Sequence, residues 1–352
     1  MHTATSPGAH SGCSVPPQAQ QTKGDKMRTI RRRAVAAVLC GALLAGTGAF
    51  AQQYPTKPIR IVVGFAAGGP TDVIARVIAQ DMTASTGQTV FVDNRPGANA
   101  IIATDFVAHS PPDGYTALFS SISLSVNAIL SPDKVKYDPF KDFAPVSNGA
   151  LLPMVIVTRP STPINSIRDL IALAKRRPGE VTYGSAGYGG SAHLAGAMLQ
   201  TLGNVKMTHV PFRGNAPALV DVMAGQVTFM FYPIIGISEY VNSGKLKVLA
   251  VGTKERHPDF PKAPTMAEAG YPGLADTAPW VGMLVPAATP PAIVNRMSEE
   301  MRKSLAKPET SARVKSLGGV KVGDTPEQFL AFLKKDYERW QRVIKAADIK
   351  PE

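Results

Sequence analysis

Cysteine is nearly absent from this chain. Its 352 residues hold two, Cys13 and Cys40, both ahead of Gln52. From Gln52 onward there is no thiol, which excludes a disulfide framework and metal or redox chemistry through sulfur. Histidine offers a metal no better site, because His109, His193, His209 and His257 are scattered without ligand spacing. Aromatic residues, at 7%, are not interleaved with clusters of Lys and Arg, so the footprint of a nucleic-acid protein is missing. There is no P-loop signature and no G-x-S-x-G around Ser185 or Ser191. The apolar run Ala34 to Gly48 is too short to span a bilayer.

That apolar run belongs to an export signal instead. Met27-Arg-Thr-Ile-Arg-Arg-Arg33 is a basic n-region, the run is the h-region, and Ala49-Phe50-Ala51 is a small-residue cleavage site. The expected organisation is an upstream mis-start or tag over 1–26, a signal peptide over 27–51 and an exported mature chain from Gln52. Val38-Leu39 before Cys40 lacks the small residue of a lipoprotein signal. Export removes six of 38 basic and one of 26 acidic residues, leaving 32 against 25, a net charge of +7. Such a surface is compatible with a general pull on acidic small molecules.

The chain is organised around Ile59 to Arg76, which reads as strand, small-residue turn and helix. Ile59, Ile61, Val62 and Val63 form the strand and Gly64 to Gly69 the turn. Pro70 suits the first helical position and Asp72 the first turn; Ile74, Val77, Ile78 and Met82 share a helical face. A helix beginning after such a turn aims unpaired backbone N–H groups at one spot, where an anion binds. Val181 to Leu202 repeats the device, with Ser191 as expected N-cap and His193 in the first turn, either as a neutral hydrogen-bond donor or as packing. Gly187-Tyr-Gly-Gly-Ser-Ala192 matches a dinucleotide fingerprint, but the next strand ends in Val210-Pro-Phe-Arg213 without the required acid.

Strands and helices alternate almost throughout, predicting an α/β protein with largely parallel sheets. The expected strands include Thr89–Val92, Tyr115–Phe119, one apolar strand from Leu151 to Val157, and Trp280–Val285; three helices close the chain. Ser120 to Ser123 at a strand end are either helix caps or ligand donors.

Several motifs together resemble one family. They are Tyr54-Pro-Thr-Lys-Pro-Ile-Arg60, the Gly64 to Asp72 turn, Asn94-Arg-Pro-Gly-Ala98, Pro112-Asp-Gly-Tyr-Thr116, Gly184-Ser-Ala-Gly187, Val210-Pro-Phe-Arg-Gly214, Pro264-Thr-Met-Ala-Glu-Ala-Gly270 and Thr325-Pro-Glu-Gln-Phe329. The whole mature chain is similar, in order, to the Bug family, the periplasmic solute receptors of tripartite tricarboxylate transporters. The resemblance implies a type II periplasmic binding protein fold. Two α/β lobes (52–152 with 280–352, and 153–279) would be joined by two crossover strands around a ligand cleft. It implies ligand contacts from Phe65, Ala66, Ala67, Gly68, Gly69 and Asp72 in the first turn. Ser120, Ser121 and Ser123 would follow at the strand end, with Ser185, Gly187, Gly190, Ser191 and His193 in the second turn. Gly214, Asn215 and Ala216 would line the same cleft, and Tyr232 stands beside it where relatives often carry an acid.

That missing acid argues against an amino-acid ligand and for a plain or aromatic acid. Ala98-Asn-Ala100 replaces a commoner Gly-rich run. The implied function is capture of a small organic acid, aromatic or dicarboxylate, by a monomer that serves membrane permease subunits, with no catalysis, cofactor, metal or nucleic acid. The alternatives are a secreted enzyme acting on small organic acids and a ligand-binding sensor component.

Overall fold

The computed structural model describes residues 54–346 and 349–350; the expected upstream segment, signal peptide and cleavage site lie outside the described residues. The described chain builds two sheets. The first has six strands: β1 (Ile59–Val63), β2 (Val90–Asn94), β3 (Thr116–Ser120), β4 (Phe143–Leu151), β10 (Trp280–Pro286) and β11 (Val320–Lys321). They lie in the order β11-β4-β10-β3-β1-β2. The second has five: β5 (Met154–Thr158), β6 (Thr182–Ser185), β7 (Thr208–Pro211), β8 (Phe229–Pro233) and β9 (Lys247–Val251), ordered β7-β6-β8-β5-β9.

The apolar run of β1 has a direct cause. Side chains alternate across a strand, and both faces of this sheet are covered by helices. Ile61 and Val63 join a core with α1 (Pro70–Thr86) and α8 (Pro291–Ala306), whereas Val62 joins a core with α2 (Ile101–Ala108) and α10 (Pro326–Ala346). Phe329, Leu333 and Trp340 of α10 are buried there, and Trp280 of β10 donates Nε1–H to Asp336 at 2.9 Å. The second sheet is likewise sandwiched. One face packs α4 (Ile167–Arg176) and α5 (Ser191–Gly203), and the other packs α6 (Asn215–Ala224).

Two expectations change. The single strand foreseen from Leu151 to Val157 is two strands in different sheets. The chain leaves the first sheet at Leu152-Pro153, where proline cannot donate to a ladder. It returns between β9 and β10, and Leu152 N–H donates to Pro279 O at 2.8 Å, so the outgoing and returning crossings are bonded to each other. The sheets are mixed rather than largely parallel. β1 pairs in parallel with β2 and β3, and β6 with β7 and β8. Strands beside a crossing, β5 and β10, pair antiparallel because they enter from the opposite lobe. A helix also follows the serine cluster, α3 (Ser123–Leu130), whose apolar side chains Leu124 and Val126 are buried. The shortest helix, α7 (Ser238–Asn242), and the surface helix α9 (Pro308–Ser316) complete the set.

Candidate functional site

The first turn is held from below by Asp72. This carboxylate, 2% exposed, accepts from Gly68 N–H at 2.8 Å and Arg76 Nε at 2.9 Å on one oxygen, and from Asn94 Nδ2 at 2.9 Å on the other. Asn94 Nδ2 also donates to Phe65 O at 3.0 Å, so the end of β2 fixes both sides of the turn. Burial opposes ionisation of Asp72, but the hydrogen bonds from Arg76, Gly68 and Asn94 outweigh it and hold the carboxyl below its usual range. The N-cap of α1 is Gly69, with Pro70 at the first helical position as the sequence indicates.

The second turn is held by a serine and two histidines. Ser185 Oγ donates to Gly187 O at 2.9 Å and accepts from Gly187 N–H at 3.1 Å, and it lies 2.6 Å from His209 Nε2. Gly189 N–H donates to His193 Nδ1 at 3.2 Å. The two imidazoles pack with ring centroids 4.2 Å apart. Burial, with His209 as a neighbouring charge, pushes His193 down to about 3, and burial alone pushes His209 down to about 4, so both are neutral at neutral pH. The cap of α5 is Gly190 rather than Ser191, which is the first helical residue; glycine lets the backbone turn in without a side chain in the cleft.

The two turns face each other across a cavity of about 20 Å³, room for a water molecule. Pro70 and Thr71 of α1, Ser123 of α3, Ser191 of α5 and Asn215 of α6 all line it, so four helix N-termini converge there. Their N-caps, Gly69, Ile122, Gly190 and Gly214, make no side-chain cap hydrogen bond. Of the other helices, α4 is capped by Ser166 Oγ accepting from Asp169 N–H, whereas α2, α7, α8 and α9 have no side-chain cap either. Among the described residues no ionisable side chain lines the cavity. Its positive character therefore comes from peptide dipoles, each terminus carrying roughly half a charge. Three buried polar atoms of its lining residues have no partner: Asn99 Oδ1, Ser123 Oγ and Asn215 Oδ1.

The lobes touch at glycines. A Cβ on Gly214 (φ +148°) would lie 3.1 Å from Ala66, and one on Gly187 (φ +132°) would lie 3.4 Å from Asn99 Cβ. A wider cavity of about 620 Å³ shares Asn99 and Ala186 with the small one and carries Lys134 and Arg213 on its wall. Its size suits a small-molecule pocket. An open groove of about 960 Å³, lined by second-lobe residues together with Ile349 and Lys350, reaches only the back of the second turn, through Tyr188 and His193.

The structure gathers Phe65, Ser121, Ser123, Gly190, Ser191 and Asn215 around the small cavity, and places Gly187 on the wider one. Ala66 and Gly214 meet between the lobes, while Gly68, Asp72, Ser185 and His193 shape the turns from behind. Gly69 N–H closes the first turn onto Ala66 O at 3.4 Å, and Ala67 lies exposed on it. Ser120 is buried at the end of β3, Ala216 sits one residue inside α6, and Tyr232 is buried among Val155, Ile237 and Met230 in the second-lobe core. The sequence did not single out Asn94, Asn99, Asn127 or His209. For Asn99 a signal existed, since it stands where the resembling family carries glycine. Ala98, Asn99 and Ala100 all take positive φ, at 46°, 48° and 72°. Asn tolerates that region, whereas each alanine is strained by an amount of order 1–3 kcal/mol, a kind of strain that gathers at functional sites.

A serine-hydrolase reading has its test here as well. Ser185 and His209 are paired, but Ser185 is fully buried with its hydroxyl spent on Gly187, and His209 Nδ1 has no partner to orient it.

Two mixed sheets flanked by helices, two bonded crossings and a cleft ringed by helix N-termini are the two-lobe fold of a binding protein. The sequence pattern of the tripartite tricarboxylate transporter family receptor matches residues 74–349, and the chain belongs to that family. It is similar to the periplasmic binding protein BugD, at 34% identity and TM-score 0.81 over 85% of this chain and 100% of that one. A Rhodopseudomonas palustris protein solved with adipate gives 33% and 0.81 over 85% and 100%. MatC of the same organism, solved with malate, gives 30% and 0.78 over 83% and 100%.

Proposed function

We propose that this receptor captures a small carboxylate between its two turns, in the periplasm, and delivers it to membrane permease subunits. The observation that carries the reading is the convergence of four helix N-termini without side-chain caps on one cavity free of ionisable side chains. Backbone N–H groups in that array hold an anion without an arginine, and closure of the lobes strengthens each bond by drying the site. The ligands of the similar structures, adipate and malate, are both dicarboxylates. Lys134 and Arg213 beside the wider cavity draw such anions toward the cleft. The lobes are taken as 52–152 with 280–352, and 153–279, and export is by the Met27 to Ala51 signal.

Among the described residues no acid–base pair lines the cavity, which supports binding over the alternative of an enzyme acting on small organic acids. A thermal-shift screen of the mature protein against mono- and dicarboxylates, aromatic acids and amino acids tests this. A ligand at about a hundred times its Kd raises stability by about 2.7 kcal/mol. An absence of any shift, together with turnover of an acid, overturns the reading.

A further inference from the structure

The Oδ1 atom of Asn99 is buried, without a partner, and its residue lines both interlobe cavities. Which atom of a carboxamide is the oxygen is normally open to a flip. Here the surrounding bonds decide it. Asn127 Nδ2 lies 2.9 Å from the backbone carbonyl of Asn99, which can only accept, so that Asn127 atom must be the nitrogen. Asn127 Oδ1 is then an acceptor, and the Asn99 atom 2.8 Å from it must be a donor, Nδ2. Asn99 Oδ1 is left facing the other way, toward Gly190: a Cβ built on that glycine would lie 3.4 Å from it. Asn99 is 8% exposed and Asn127 4%, so bulk water does not reach the arrangement, and the single water the small cavity has room for is what a ligand donor would replace at Asn99 Oδ1.

We infer that Asn99 is a specificity-determining residue that selects carboxylates bearing a neutral hydrogen-bond donor, a hydroxyl close to the carboxyl group. The inference rests on the carboxylate-receptor reading above and refines its ligand class. A fixed carbonyl oxygen repels a carboxylate oxygen and is satisfied by an O–H or N–H. A buried acceptor left unpaired costs about 1–3 kcal/mol, which a ligand lacking the donor would leave uncompensated. An ammonium would supply the donor too, but among the described residues no carboxylate lines the cavity to balance its charge, and burying an unpaired cation is far costlier. A hydroxyl brings the donor without the charge. The left-handed backbone that puts Asn99 there is part of the device, because asparagine is among the few residues that both tolerate φ +48° and carry an amide.

Titration calorimetry of matched acids tests it: malate against succinate, and lactate against propionate, on the wild type and on Asn99→Gly. Glycine accepts the same φ and keeps the carbonyl that Asn127 binds, so the backbone has no reason to move. The expected wild-type result is roughly tenfold or greater preference for the hydroxylated member of at least one pair. In Asn99→Gly that ratio falls to within about twofold of unity, whatever happens to absolute affinity. Equal wild-type affinity for both members of each pair overturns the inference while leaving the carboxylate-receptor reading intact. So does a preference that survives in Asn99→Gly with an unchanged thermal midpoint. Failure of the wild type to bind any acid overturns the receptor reading itself, and this inference with it.

Discussion

Asn94 Nδ2 lies 2.9 Å from Asp72 Oδ1 and 3.0 Å from Phe65 O, so the C-terminal end of one strand fixes the turn that leaves its neighbour. β1 and β2 are parallel partners, with Val63 opposite Asn94, which brings both to the same sheet edge. A ligand-facing turn of small residues has almost no side chains with which to hold its own shape. Its rigidity is supplied from behind by an asparagine and an aspartate.

Asp72→Ala should therefore unmake the first turn. It leaves Gly68 N–H and Arg76 Nε without their acceptor and Asn94 Nδ2 with Phe65 O alone, at a cost of about 2 kcal/mol. Ligand affinity should fall at least about tenfold, since each 1.4 kcal/mol of lost preorganisation is a factor of ten. Urea denaturation and calorimetry read the two effects. An unchanged affinity would show that the turn keeps its shape without this carboxylate.

Acid should loosen the second turn. His193 and His209 are held neutral in the folded protein, at about 3 and about 4, against 6.5 for the unfolded chain. Above pH 6.5 both states are neutral and stability is insensitive to these groups. Below it the unfolded state binds protons that the native state refuses, so stability falls as pH drops toward the folded values. The slope is at most about 1.4 kcal/mol per pH unit for each histidine. In the folded protein His193 stays neutral until about pH 3 and keeps accepting from Gly189 N–H, so affinity should hold through this window while stability falls. Urea midpoints between pH 7.5 and pH 5 test this, with a His193→Gln, His209→Gln double variant expected to flatten the profile.

Gly214→Val should wedge the lobes apart. Even a Cβ there would lie 3.1 Å from Ala66, and φ +148° disfavours any side chain. The expected outcome is at least about tenfold weaker binding, with a radius of gyration by solution scattering that no longer shrinks when ligand is added. Ligand-induced compaction equal to that of the wild type would contradict it.

Asp336→Ala should destabilise the first lobe without touching the cleft. The carboxylate, 4% exposed, accepts from Trp280 Nε1 at 2.9 Å and Arg339 Nη2 at 2.6 Å. Its loss strands a buried indole N–H, a penalty of about 1–3 kcal/mol. A lower thermal midpoint with Kd unchanged is the expected pair of results.

The amino-acid sequence by itself determined the two strand–turn–helix units, the Gly-Gly-Pro entry into α1 and the family pattern. All of these rest on neighbours within a few residues, where apolar periodicity, glycine's freedom and proline's fixed φ act locally. Tertiary structure decided the rest. It split Leu151 to Val157 between two sheets, because only the lobe packing makes Pro153 a crossing point. It placed Ser185 against His209, 24 residues away, and Asn99 against Asn127, 28 away. It sent Tyr232 into the core rather than the cleft. An asparagine in a glycine's place reads in sequence only as a departure. Its role depends on which atom a distant partner forces it to turn toward the ligand, and pairing across the fold sets that.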